Sequence, residues 1–196
     1  MDTQERVRKI SRFVILTPHR DALQPLEAYR RGLFAAAFPG AYSFPLAAPI
    51  AAVSRPFARE ELKELAAAIR GVTGERKCGK IQSAETSLVQ CPPFSFLGIL
   101  LDFPLEETLF PQAAREKLLA VPPFPALCAA LVCPGEENRA HEKAPPLSFR
   151  TAFVANLAVR ALPCGGRGYS FEWNIGPPVW LPKNGKPRRG GTGIKP

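Results

Sequence analysis

The apolar residues of this chain come in short runs that are each brought to a stop. Arg12–Thr17 reads Arg-Phe-Val-Ile-Leu-Thr and ends at Pro18. The most apolar runs, Phe94–Leu101 and Phe124–Cys133, are also short. All fall well below the roughly 18–20 apolar residues that a membrane-spanning helix needs. Short runs bounded by Pro, Gly or polar clusters read as buried strands. Between them lie segments with helical spacing. The chain therefore reads as α+β.

Asp21 to about Ala37 is expected to be a helix, capped by Asp21 and carrying Pro25 in its first turn. Leu23, Leu26, Leu33, Phe34 and Ala37 recur near helical spacing in it, and Pro39-Gly40 ends it. Ala41–Val53 is apolar but carries Pro45 and Pro49, which suggests an extended, kinked segment. After Arg55-Pro56-Phe57 comes a clear amphipathic helix. Its stripe is Leu62, Leu65, Ala66 and Ile69, with Glu60, Glu61, Lys63 and Glu64 mostly off it and Gly71 closing it. Cys78–Gln90 suggests an exposed or edge strand, and Phe94–Asp102 a central one. A third helix is expected over about Leu105–Leu119, kinked or restarted at Pro111. Phe124–Cys133 favours strand. Pro134–Pro146 reads as a surface loop, Leu147–Leu162 as one bent strand or hairpin arm, and Tyr169–Trp180 as a last strand pair or edge. The expected organisation is one α+β domain over residues 1–182 and a basic disordered tail over 183–196.

The charge is concentrated. Lys plus Arg is 26 and Asp plus Glu is 17, a net charge of +9. Five cations, Lys183, Lys186, Arg188, Arg189 and Lys195, lie in the tail, and no acid follows Glu172. Such a surplus suits RNA, DNA or another polyanion, and also serves solubility. Met1–Ile10 is charged before any apolar run, unlike a secretory signal, so the expected location is the cytoplasm, with no membrane partner. Five cysteines, Cys78, Cys91, Cys128, Cys133 and Cys164, show no two-residue spacing, and the two histidines have no ligand neighbours. They read as reduced structural thiols, with no metal and no cofactor expected.

No catalytic constellation is complete. Gly165-Gly166-Arg167-Gly168 lacks the Lys-Ser/Thr of a phosphate loop, and no dinucleotide fingerprint or nucleophile elbow is present. The paired acids Glu60-Glu61, Glu106-Glu107 and Glu136-Glu137 read as helix starts and loop charges. His19 is the best single candidate. It sits where a strand leaves the core, beside Arg20 and Asp21, and an imidazole next to a guanidinium can hold an anion. A plain loop residue near a helix cap is the alternative reading.

The order of these elements, over roughly residues 12–181, resembles the 2H phosphoesterase superfamily, the RNA-ligase-like and cyclic-phosphodiesterase-like proteins. The resemblance implies a bilobal, pseudo-twofold fold with two antiparallel sheets flanked by helices. It also implies a His-x-Thr signature from each lobe, one histidine as general base, the other as general acid, and the threonines holding phosphate. Here the first signature falls on Pro49 and Ala51, the second on Asn156 and Ala158. Neither pair can move a proton near neutrality, and general acid–base work is worth roughly 10²–10⁴-fold per group. The resemblance thus points to a degenerate, non-catalytic member that binds a nucleotide or RNA. His19, Arg55, Arg150, Asn156 and Arg160 are its candidate cleft and phosphate-binding residues. The alternatives are a protein-interaction scaffold, motivated by Tyr169, Trp173 and Trp180, and a phosphoesterase with unusual catalytic residues, such as His19 with a carboxylate.

Overall fold

The computed structural model describes residues 10–36, 44–74, 80–91, 94–132, 145–163 and 169–182. The loop expected over Pro134–Pro146 lies mostly outside them, and the tail at 183–196 and Cys78, Cys133 and Cys164 lie wholly outside. The fold is α+β with two antiparallel sheets, one a curled half-barrel, and few helices.

Strand β1 (Ile10–Pro18) is the organising element of the larger sheet. Its Phe13–Leu16 segment is fully buried, as its β-branched and aromatic content predicts. It pairs on one side with β2 (Ala48–Val53) and on the other with β8 (Ala152–Pro163), both antiparallel. Pro49 has no N–H to give to β1. The register accordingly slips between Val14, opposite Ala51, and Ile15, opposite Pro49, leaving Ile50 without a partner position. Strand β5 (Leu118–Ala120) extends the sheet beyond β2. Strands β9 (Tyr169–Ile175) and β10 (Val179–Trp180) share the outer side of β8, one after the other, rather than pairing with each other.

The smaller sheet has the order β6-β4-β3-β7, from β3 (Ile81–Cys91), β4 (Phe94–Leu101), β6 (Ala126–Val132) and β7 (Ser148–Phe149). It joins the larger sheet where Cys128 N–H donates to Ala47 C=O at 3.0 Å. Cys128 is a buried free thiol. Strand β4 is central, as its apolar run predicts. Gly98 allows its neighbours to close on it: a Cβ there would lie 2.6 Å from a Val89 methyl and 2.9 Å from Ala126 Cβ.

Helix α1 (Arg20–Ala35) packs on β6, and α2 (Arg59–Gly74) packs on β8 and β10. The α2 stripe is the expected one, with Thr73 added, whose hydroxyl donates to Ile69 C=O at 2.9 Å. In α1 the buried residues are Leu26, Arg30 and Leu33. Arg30 is 3% exposed and its Nη2 donates to Phe44 C=O at 2.7 Å.

Four expectations are corrected. The α1 cap is His19, not Asp21; its Nδ1 accepts from Asp21 N–H. Pro25 lies inside α1 rather than in its first turn. The third helix over Leu105–Leu119 does not form. A 3₁₀ turn (Glu107–Leu109) precedes the short α3 (Gln112–Arg115), and Leu118 already belongs to β5. Pro111 at the α3 N-cap is the physical reason, since proline inside a helix costs about 3 kcal/mol. Finally, Leu147–Leu162 is two strands, β7 and β8, separated at Arg150–Thr151.

Gly98→Val is expected to destabilise the fold by about 1–3 kcal/mol, because the added methyls overpack a core with no slack. Urea unfolding checks this: the midpoint should fall at unchanged slope. An unaltered midpoint would contradict the packing described.

Candidate functional site

Facing residues of paired strands share one face of a sheet. Val14 lies opposite both Ala51 on β2 and Asn156 on β8. These three therefore stand in one row, with Ala51 and Asn156 about 10 Å apart, two strand spacings. Val14 and Ala51 are buried in the larger core, with Ala152 and Val154 of β8 on the same side.

What lies over this row is the segment between β2 and α2. The half-buried Asn156 carboxamide reads the backbone of Phe57 in both directions. Phe57 N–H donates to Asn156 Oδ1 at 2.8 Å, and Asn156 Nδ2 donates to Phe57 C=O at 2.8 Å. The Asn156 main-chain carbonyl accepts from Gly176 N–H at 2.9 Å. Phe57 itself is 3% exposed and meets Phe110 edge-on at 6.2 Å.

The same segment is held by charge. Glu61 and Lys117 form an ion pair with side chains only 13% and 11% exposed, Nζ lying 2.5 and 2.6 Å from the two carboxylate oxygens. Glu61 Oε2 also accepts from Ala58 N–H at 2.6 Å, the reach-back bond of a helix start. Lys117 Nζ lies 5.7 Å from the centre of the Phe57 ring, and Lys117 C=O accepts from Ser54 N–H at 2.8 Å. Burial raises the Glu61 carboxyl pKa. The Lys117 hydrogen bond, the Ala58 N–H and the charges of Lys117 and Arg55 outweigh it, so the net shift is downward.

The five candidate residues are divided between two places. Asn156 and Arg160 lie on β8, four residues or about 13 Å apart, and face the same way. Arg160 is exposed, with Glu172 of β9 opposite it. Arg55 lies in the segment over Asn156 and makes an exposed ion pair with Glu116. His19 and Arg150 are at the far end of the sheet. His19 N–H donates to Thr151 C=O at 2.8 Å, and the exposed Arg150 offers its carbonyl to Arg70 Nη2 at 2.6 Å.

His19 is half exposed, and its Nδ1 lies 3.1 Å from an Asp21 carboxylate oxygen. Its ring is 5.7 Å from that of Trp180, which meets Phe153 edge-on at 5.2 Å. Two residues before His19, the Thr17 hydroxyl is buried without a hydrogen-bond partner among the described residues. Among the described residues no three His, Cys, Asp or Glu side chains gather as metal ligands, and no helix is long and apolar enough to cross a membrane.

Sequence reading missed the Phe57, Glu61 and Lys117 cluster. Glu61 carried one signal, an acid in the first turn of a helix, three residues after Ala58. Lys117 carried none, because it was assigned to a helix that the chain does not form. Arg70 was also missed; its Nε donates to Pro182 C=O at 2.9 Å, so one guanidinium fixes both the β7–β8 corner and the end of β10.

Asn156→Ala is expected to cost about 1–3 kcal/mol by leaving the Phe57 amide and carbonyl unpaired. Chemical denaturation of the variant checks this, and a loss below about 0.5 kcal/mol would mean that water replaces the carboxamide. The Glu61 contribution is complete above the ordinary carboxyl value of 4.5, and is lost as pH falls through the lowered value in the folded protein. Glu61→Gln should therefore flatten the acid limb of the stability–pH curve. At neutral pH it should be on the order of 2–3 kcal/mol less stable, since Lys117 is left nearly buried without its counter-ion.

Comparison of the chain with protein-family models, curated proteins and solved structures finds no match in any of the three.

Proposed function

We propose that this chain is a nucleotide- or RNA-binding protein without phosphodiesterase activity, built on a bilobal, pseudo-twofold 2H phosphoesterase-like body. The observation that carries this reading is the row Ala51–Val14–Asn156. Ala51, the threonine position of the first signature, and Asn156, the histidine position of the second, sit on the two strands flanking β1, on one face. Neither holds a group that titrates near neutrality. The carboxamide at the second is committed to the Phe57 backbone. The row holds a segment of chain in place, and Pro49, the first histidine position, pairs with Ile15 in the next row.

Binding is supported by the charge. A net +9, with five cations after residue 182, favours a polyanion. Catalysis by His19 is not supported by its surroundings: it caps α1, its nearest carboxylate is the exposed Asp21, and it lies at the opposite end of the sheet from Arg55 and Arg160.

Anisotropy with a labelled single-stranded RNA should show binding that weakens with salt, by a log–log slope of about −0.7 per phosphate contacted. Cyclic-phosphate dinucleotides should be turned over only at background rate, equally by the protein and by His19→Ala. Absence of binding at low salt would remove the reading. Turnover that His19→Ala abolishes would replace it with an enzyme.

A further inference from the structure

The larger sheet carries a second set of side chains, facing away from the Ala51–Val14–Asn156 row. On β8 these are Phe153, Ala155, Leu157 and Val159; the last three are buried in the smaller core and Phe153 packs against it half-buried. Opposite them on β9 stand Ile175, facing Leu157, Trp173, facing Val159, and Phe171, facing Ala161. On β10, Trp180 faces Phe153. Partners across a ladder share a face, so Phe171, Trp173, Ile175, Phe153 and Trp180 form one stripe along the outer strands.

The stripe passes from core to solvent. Phe171, Ile175 and Phe153 are half-buried against the smaller core, while Trp173 is 46% exposed and Trp180 48% exposed. The positions of Trp173 and Trp180 opposite β8 are six residues apart, about 20 Å. At the Trp180 end the stripe meets the imidazole of His19; the exposed Arg20 follows His19 in the chain, and the exposed Arg150 precedes Thr151, whose carbonyl accepts from His19 N–H. The exposed acid here is Asp21, whose carboxylate lies 3.1 Å from His19 Nδ1.

We infer that this stripe, and not the row beneath Phe57, is the seat of single-stranded RNA. The inference rests on the RNA-binding reading above and locates it. Two indoles about 20 Å apart along a sheet offer flat faces to two unpaired bases of one strand, separated by a few nucleotides, and a cationic end draws the phosphodiester chain across them. Aromatic stacking of this kind tolerates any base sequence. A protein partner would also cover aromatic residues. The excess of cations at one end favours a polyanion whose own apolar surfaces are flat rings.

The chain has only two tryptophans, and both are on the stripe. Intrinsic fluorescence therefore reads the site directly. Trp173→Phe and Trp180→Phe leave one reporter each, and each should be quenched by an unstructured single-stranded RNA of about twelve nucleotides, but not by the same sequence in duplex form. Trp173→Ala and Trp180→Ala should each weaken binding about tenfold, as loss of one stacked base predicts, with an unchanged salt slope. Both indoles are about half exposed, and circular dichroism checks that the variants remain folded. If the protein binds RNA but both alanine variants bind as tightly as the parent, the stripe is not the seat and the RNA-binding reading stands. If the parent shows no salt-dependent binding, both fall. Equal quenching by duplex and single strand would also overturn the stacking assignment.

Discussion

The double hydrogen bond between the Asn156 carboxamide and the Phe57 backbone ties two distant parts of the chain together, across a sequence separation of 99 residues. A peptide group leaving a strand to start a helix has no ladder partner. In a half-buried place it must find one. A carboxamide is the one neutral side chain that offers both a donor and an acceptor in a plane that matches a peptide. Once Phe57 is held, its ring reaches Phe110, Lys117 is drawn over it, Glu61 closes on Lys117, and α2 starts where its apolar stripe can lie on β8 and β10. Asparagine there is an architectural choice. Histidine cannot read a peptide in both directions, and proline or alanine cannot do so either.

Much of the fold was legible because burial writes itself into short apolar runs. Phe13–Leu16, Phe96–Leu101 and Ala126–Val132 are strands that their own side chains dictate. Helix α2 shows equally well, since its stripe and its first-turn acids agree, although it runs past Gly71, where it was expected to close, to Gly74. The segment from Leu105 to Leu119 failed for a specific reason. Its leucines satisfy helical spacing, yet Pro111 and the β2 edge offer a better solution: a turn, one short helix and a strand. Leu105 and Phe110 bury themselves without a helix at all. Spacing records which residues seek the core, not which backbone brings them there.

The site was less legible. The position of Asn156 could be located from the order of elements, but its hydrogen bonds to Phe57 are a matter of three-dimensional register. Nothing in the residues near Lys117 announces Glu61, 56 positions earlier. The aromatic stripe is an intermediate case. Alternation along Phe171, Trp173 and Ile175 can be read directly, yet only the pairing of both β9 and β10 with β8 puts Trp180 into the same line.

Arg70 has a further consequence. By holding the carbonyls of Arg150 and Pro182 at once, it makes the β7–β8 corner and the end of β10 one unit. Its Nε and Nη2 lie in one rigid plane, so neither carbonyl can shift without straining the bond to the other. Trp180, two residues before Pro182, is thereby kept at the edge of the sheet by a helix as well as by its own short pairing with β8.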